Sequence, residues 1–328
     1  MTKHILPALI LLTTGATAAN AQSARQGQFL DERQLPIALD LNLRKPLDTH
    51  KDVAGSSMRK SASTSSVTTA KVAAPEKHTA LAIKAGIDTG YSTNVFRTKT
   101  NPVSDLLVTP SFGVELKSIP AADGSLSFGI GVGVSFDRYS RPDVASEGDS
   151  DTIGGAVGLG WKSVDNYEFA VGYSPRVVFS KGFAARQQTV HNLSAGVAKE
   201  FPIGEGIRAG EIAALTPSLT LERNFVDPSA ASSTAATLGV QFAMTLSSTV
   251  TFAIAPGVTV AAYDQPTNGI SRTDFRFNGS IGLNWKPSDN VTFSLSANVL
   301  QRISTAPDID MTEFAAGPSV GVKGLIKF

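Results

Sequence analysis

Histidine, serine and carboxylate are the residue types in this chain that could carry hydrolytic or metal chemistry, and their spacing argues against both. The four histidines stand at positions 4, 50, 78 and 191, and no cysteine is present. Thiolate nucleophiles, disulfides and cysteine metal sites are therefore excluded. Only His191 lies in the patterned part of the chain. A histidine and a serine two apart on a strand share one side, but the first serine after His191 is Ser194, which alternation sends to the opposite face. No catalytic residue is assigned, and the chain reads as a non-enzyme. Asp149 and Asp151 in the run Glu147-Gly148-Asp149-Ser150-Asp151 are able to hold calcium weakly, but a solvated acidic loop is the ordinary reading. No cofactor is implied. Gly129 to Gly133 matches a nucleotide fingerprint only superficially, because no βαβ unit follows it.

What remains is a set of charged residues embedded in alternating segments. Glu115, Glu168, Arg176, Glu222, Asp274, Arg276, Arg302 and Lys323 all fall on the polar face of such segments. If those faces line a lumen, the residues bias which solutes pass; their signs balance, which predicts weak selectivity.

The elements that would position them begin near Leu81. From there, segments of about 10 to 16 residues alternate apolar with small or polar side chains between turn-rich breaks. In Asp274 to Lys286 one face carries Phe275, Phe277, Ile281, Leu283 and Trp285, and the other Asp274, Arg276, Asn278, Ser280, Asn284 and Lys286. About twelve such segments are predicted: 81–97, 106–118, 125–139, 151–163, 167–183, 188–202, 211–225, 233–246, 250–263, 272–286, 291–304 and 313–328. Compact breaks (164–166, 247–249, 287–290) alternate with longer polar ones (140–150, 305–312). Aromatics gather at segment ends: Trp161, Tyr167, Phe201, Trp285, Phe293 and Phe328 at one, Phe136, Tyr139, Phe179, Phe225, Phe275 and Phe314 at the other.

Soluble strands average five or six residues, and a soluble sandwich would turn its apolar row inward. Here the opposite row is too charged and too rich in glycine for a dry core, with Gly129, Gly131, Gly133, Gly154, Gly158 and Gly160 on it. The fold class that fits is an all-β, transmembrane, antiparallel up-and-down barrel of about 12 strands, with lipid against the apolar row.

The N-terminus reads as an export signal over residues 1–21: Lys3 and His4, an apolar run from Ile5 to Leu12, and Ala19-Asn20-Ala21 before a mature start at Gln22. Residues 22–79 lack either period, and the run Ser61 to Thr69 is of low complexity, so a flexible periplasmic segment is expected ahead of a barrel at 80–328. After residue 21 no apolar run reaches the roughly 20 residues of a spanning helix. With 29 basic and 28 acidic residues and a mean hydropathy of +0.03, no long-range field points to nucleic acid. The expected setting is the bacterial outer membrane, with its lipid, lipopolysaccharide and barrel-assembly machinery as partners. The sequence leaves the oligomeric state open.

One stretch carries a family resemblance. Gly86-Ile87-Asp88-Thr89-Gly90-Tyr91-Ser92-Thr93-Asn94-Val95-Phe96-Arg97-Thr98 resembles the opening strand of the β-barrel porin 2 family, in which a Gly-x-x-Tyr-x-x-Asn-x-Phe-Arg pattern leads into the first outer loop. Tyr91, Asn94, Phe96 and Arg97 carry it. The resemblance implies an outer-membrane barrel, some members being linked to exopolysaccharide export. The ending Val320 to Phe328 resembles the C-terminal assembly signature of outer-membrane barrels, with Phe328 as the terminal aromatic. Two functions follow as expectations: a porin-like channel for diffusion of small solutes, or a non-conducting structural or accessory barrel of the envelope.

Overall fold

The structure, a computed structural model, describes residues 79–95, 102–118, 126–163, 165, 167–205, 212–267, 270–288, 290–306 and 309–327. The signal and mature start read at 1–22, nearly all of the segment read at 22–79, and Phe96, Arg97 and Phe328 lie outside the described residues.

Long alternating segments become long strands because every second side chain finds the same environment along the whole length. In chain order these are β1 (Thr79–Ser92), β2 (Asp105–Ser118), β3 (Leu126–Tyr139), β4 (Ser150–Lys162), β5 (Tyr167–Ser180), β6 (Arg186–Lys199), β7 (Phe201–Glu205), β8 (Ile212–Asp227), β9 (Ser233–Ser247), β10 (Val250–Tyr263), β11 (Thr273–Ser288), β12 (Val291–Ser304) and β13 (Met311–Lys327). Consecutive strands pair antiparallel, except that β6 and β7 do not pair with each other and both pair with β8, and β1 pairs with both β2 and β13, which closes the sheet. The β6 pair Ala198–Ser218 and the β7 pair Phe201–Leu215 keep one register against β8, so β7 continues β6 past Glu200. The described residues therefore form a closed barrel of twelve antiparallel strands. Closure removes the edges of the sheet except along the short β7, which is paired with β8 alone.

The directly paired row Leu81–Leu116–Ile130–Val157–Tyr173–Leu193–Arg223–Thr234–Ala262 starts at the first turns of β1 and finishes at the far end of β10. Such stagger means steeply tilted strands, which is how a barrel of this length fits a layer of about 30 Å. The end where β1 begins holds the compact connections and is the turn end; the other, with the longer connections, is the loop end.

The outer surface is the apolar row. Phe277 is 45% exposed, Leu295 58% and Val132 60%, values a soluble core residue never shows. Inward positions carry hydroxyls, amides, charges and glycine. At the turn end Trp161 stacks on Phe169 (5.1 Å) and Trp285 on Phe293 (5.2 Å), while Lys199 Nζ lies 4.2 Å from the Tyr167 ring, with its ammonium beside the aromatic belt.

Several boundaries differ from the sequence reading, each for a local reason. The first strand ends at Ser92 rather than 97, where Thr93 donates its N–H to Phe314 O and the chain turns away. The fifth ends at Ser180 rather than 183: Lys181–Phe183 is a 3-10 turn with Gly182 at φ 73° and Phe183 at φ 57°. Phe183 sits in this left-handed region because its ring packs edge-on against Phe136 and Phe179. The break at 140–150, read as a polar loop, contains the helix α1 (Pro142–Gly148), with proline in its first turn and Asp143 near its N-terminus. Tyr139 belongs to the inward row of β3 and abuts Gly148 of α1, so it is not part of the outer aromatic belt.

Candidate permeation path and its charged constriction

The lumen contains a cavity of about 650 Å³ whose wall comes from β1, β2, β3 and β8 to β13. Hydroxyls and amides dominate its lining: Thr109, Ser135, Asn224, Thr237, Thr259, Asn278, Ser280, Ser296 and Asn298. Four carboxylates, Asp88, Asp137, Glu222 and Glu313, face it with Arg276. A smaller cavity of about 320 Å³ toward the turn end shares Asp88 and Ser319 and is lined by Lys84, Lys286 and Lys323. Charge is thus segregated along the axis, acidic in the middle and basic at the turn end. Balanced totals, as expected from the sequence, do not imply a balanced field, since each ion feels mainly charges within about a Debye length.

At the loop end the lumen narrows through buried side chains. Asp274, fully buried, accepts from Arg272 Nε (2.9 Å) and Nη2 (2.6 Å) and from Ser304 Oγ (2.7 Å). Arg276 and Arg302 are directly paired across β11 and β12, a like-charge juxtaposition that costs free energy by itself. Each has a further partner: Arg276 Nη2 donates to Tyr263 Oη (2.7 Å), and Arg302 Nε donates to Ile309 O (2.9 Å). The Arg272 guanidinium lies 3.7 Å over the Tyr263 ring. Ser304 N–H donates to Asp310, which ties the connection after β12 to the same cluster. Beside it Val190 and Val226 pack with Ala231, and Ala235 and Ala261 with Tyr263.

On the β1–β4 side the carboxylates act as braces. Asp137 accepts from Thr109 Oγ1 (2.7 Å), Glu313 accepts from Ser92 Oγ (2.8 Å), and Asp105 accepts from the Ser140 hydroxyl and Arg141 N–H. Asp149 and Asp151 are not solvated, contrary to the sequence reading. Asp149 accepts from Tyr139 N–H and pairs with Lys181 (2.9 Å); Asp151 pairs with Arg138 and accepts Phe183 N–H (2.9 Å). The end of β3 supplies Arg138 and Tyr139, and the 3-10 turn folding over the end of β4 supplies Lys181 and Phe183. Among the described residues no group of three or more His, Cys, Asp or Glu side chains is arranged to hold a metal. Outside the strands, a side-chain hydrogen bond from Arg141 holds the exposed Asp143 carboxyl below its ordinary range.

All eight charged residues singled out in the sequence sit on inward rows. Arg276, Arg302 and Asp274 come together in the constriction, Glu222 lines the larger cavity and Lys323 the smaller. Glu115 pairs with Lys84 at 2.7 Å near the turn end. Arg176, buried, is level with Gly154 of β4, and Glu168 opposes Lys162. Sequence reasoning missed Asp88, Asp137, Tyr263, Arg272 and Glu313. All five share the alternation phase of the inner row and were findable by it; Arg272 opens the predicted segment 272–286, although in the structure the strand itself begins at Thr273. Of the family-like motif, Tyr91 points outward, while Asn94 is buried and donates to Thr312 O (3.4 Å). His191 is on the outer face with Nδ1 2.7 Å from the Tyr173 hydroxyl, and Ser194 is on the inner row, so the two do not meet.

An apolar exterior around a polar, charged interior is the inverse of a soluble core and defines the class as a β-barrel of the transmembrane type. No family model matches the chain, and no curated protein matches it in sequence. Solved structures resemble it at low identity. The translocator domain of autotransporter NalP from Neisseria meningitidis is 11% identical with a TM-score of 0.45, over 95% of this chain and 99% of that one. The KdgM porin in complex with disordered oligogalacturonate is 11% identical with a TM-score of 0.40, over 73% and 98%. A bacterial polysaccharide outer membrane secretin is 10% identical with a TM-score of 0.41, over 77% and 99%.

Proposed function

We propose that the chain is a bacterial outer-membrane barrel that works as a narrow, porin-like channel for small polar solutes, with the loop end facing the outside of the cell. The observation that carries this is the lumen: a barrel wrapped in hydrocarbon-matched side chains holds about 650 Å³ of space lined by hydroxyls, amides and four carboxylates. A merely structural barrel has no need of unfilled polar volume. Carboxylates against one guanidinium in that cavity favour cations over anions, and the hydroxyl and amide lining exchanges hydrogen bonds with hydrated or sugar-like solutes. The resemblance of Gly86 to Thr98 to the β-barrel porin 2 family belongs to this reading, as do lipopolysaccharide and the assembly machinery as partners.

Planar-bilayer recording of the purified, folded protein tests it. Reproducible unit steps, with a reversal potential in a salt gradient that shows cation preference, are expected. A second reading, a closed barrel serving as envelope anchor or exopolysaccharide-export accessory, is favoured by the buried side chains at the loop end. Electrical silence of protein that shows a heat-modifiable gel shift selects that reading and refutes the channel.

A further inference from the structure

The outer wall of the barrel is not uniform. Across β4, β5, β6, β8 and β9 it is hollowed into an apolar groove of about 510 Å³, rimmed by Leu159, Val171, Leu193 and Leu221. Small residues make the hollow. The outward Ala195 stands directly between Val171 of β5 and Leu221 of β8, and the paired Gly158 and Gly172 leave bare backbone as part of the floor. Five strands at their ordinary spacing make the groove roughly 20 Å wide. Toward the loop end the apolar surface gives way to polar groups. Tyr173, Leu193, Arg223 and Thr234 form one directly paired outer row, and His191 stands two residues from Leu193 on the same face. Arg223 is four residues short of the end of β8 at Asp227, and His191 is five residues from Arg186, where β6 begins. Donors are left over in this group. Arg223 has five N–H groups; its Nη1 donates to Thr234 Oγ1 (3.0 Å) and Asp264 Oδ1 (2.7 Å) and its Nη2 to Asp264 Oδ2, so Nε–H and the second Nη2–H have no acceptor among the described residues. His191 engages the Tyr173 hydroxyl through Nδ1 (2.7 Å), and its Nε2 has no partner among the described residues. Polar groups on a lipid-facing wall are costly unless headgroups reach them.

We propose that this wall seats one molecule of lipopolysaccharide, its acyl chains lying in the groove and its phosphate and ester oxygens accepting from Arg223 and His191. An apolar hollow with unused donors at one end is the complement of an amphiphile whose acceptors stand at one end of its tails. Asp264 balances the charge of Arg223, so the site recognises its lipid by hydrogen-bond donors, and guanidinium donors suit phosphate oxygens well. Breadth favours this lipid over a two-chain phospholipid, because a groove spanning five strands takes several acyl chains side by side. The inference rests on the reading that the loop end faces the outside of the cell, where the leaflet is built of lipopolysaccharide. It does not require conduction.

Native mass spectrometry of the folded chain in detergent, titrated with Kdo2-lipid A, phosphatidylglycerol or phosphatidylethanolamine, tests the proposal. One Kdo2-lipid A per barrel is expected, half-saturating at about a tenth of the concentration that either phospholipid needs. Ala195→Phe fills the hollow, and Arg223→Met with Asp264→Asn takes away the donors without leaving a bare carboxylate. Each is expected to weaken retention of Kdo2-lipid A about tenfold, whereas Leu295→Phe, on the outer face of β12 across the barrel, leaves it unchanged. Equal retention by the wild type and both groove variants, in protein whose gel shift shows a folded barrel, overturns the site. A dimer that Ala195→Phe dissolves, without a lipid adduct, also overturns it and gives the wall to a second copy of the chain. Phosphatidylglycerol held more tightly than Kdo2-lipid A, and released by both variants, refutes lipopolysaccharide as the occupant and the outward orientation of the loop end with it. Selective Kdo2-lipid A binding that both variants weaken, in a barrel that is electrically silent, upholds the site and refutes the channel alone.

Discussion

The Arg272–Asp274–Ser304 cluster sets the strongest quantitative test. In Asp274→Asn the side chain keeps its shape, but one carboxylate oxygen becomes an NH2 facing Arg272 Nη2, now 2.6 Å from a donor rather than an acceptor. The residue is fully buried and Arg302 is 5% exposed, so water cannot readily repair the loss. Removing one member of a buried ion pair costs about 3–5 kcal/mol. Asp274 also holds Ser304, whose N–H is tied to Asp310, so the cost falls on the seating of the connections at 264–272 and 305–310. At about 1.4 kcal/mol per factor of ten, even 3 kcal/mol shifts the seated-to-released equilibrium by about two orders of magnitude. Two readouts follow. Thermal unfolding, followed by the heat-modifiable band, moves to lower temperature, and single-channel records show longer or more frequent high-conductance dwells, with reversal potential displaced toward anions by the lost negative charge. The double variant Arg272→Met with Asp274→Leu is expected to recover most of the stability, because it removes both charges together. Unchanged melting, dwell statistics and selectivity in Asp274→Asn would refute the claim that this cluster pins the mouth.

Phe277→Arg on the outer wall is expected to destabilise the barrel in vesicles by about 2–4 kcal/mol, while Ser280→Arg on the inner row costs far less; urea titration of refolding distinguishes them. Trp161 and Trp285, the two tryptophans of the chain, should be quenched strongly by brominated lipids and weakly by aqueous iodide, and the reverse pattern would place the apolar row away from lipid. Glu115→Gln removes the partner of Lys84, so the turn-end cavity becomes more basic and the reversal potential shifts toward anions, measurable in a tenfold salt gradient. Outside the strands, the Arg223 hydrogen bond holds the Asp264 carboxyl below its ordinary range. A depressed carboxyl contributes stability that is present above its unfolded pKa and lost as pH falls through the folded one, so the loop-end contribution of this partly exposed pair persists at neutral pH and fades only in acid; Asp264→Asn is expected to flatten the acid limb of the melting curve.

Alternation alone determined a great deal. A two-residue period over segments twice the length of soluble strands leaves little choice of partner or face, because a slip of one residue would carry every apolar side chain into the lumen. The strand count, the outward row of Phe277, Leu283 and Leu295 and the inward phase of all eight charged residues were legible for that reason. Sequence did not reveal what depends on contacts between distant segments. The helix in the 140–150 connection forms where proline and Asp143 start a turn and Val144 finds a fully buried site, a fit no local pattern announces. Arg272 and Ser304 meet Asp274, and Tyr263 meets Arg272 and Arg276, only because the stagger of β10, β11 and β12 brings their loop ends to one height. The separation of charge into an acidic middle and a basic turn end is likewise a product of the three-dimensional closure: sequence supplies the signs, and only the register of twelve tilted strands decides the depth at which each one stands.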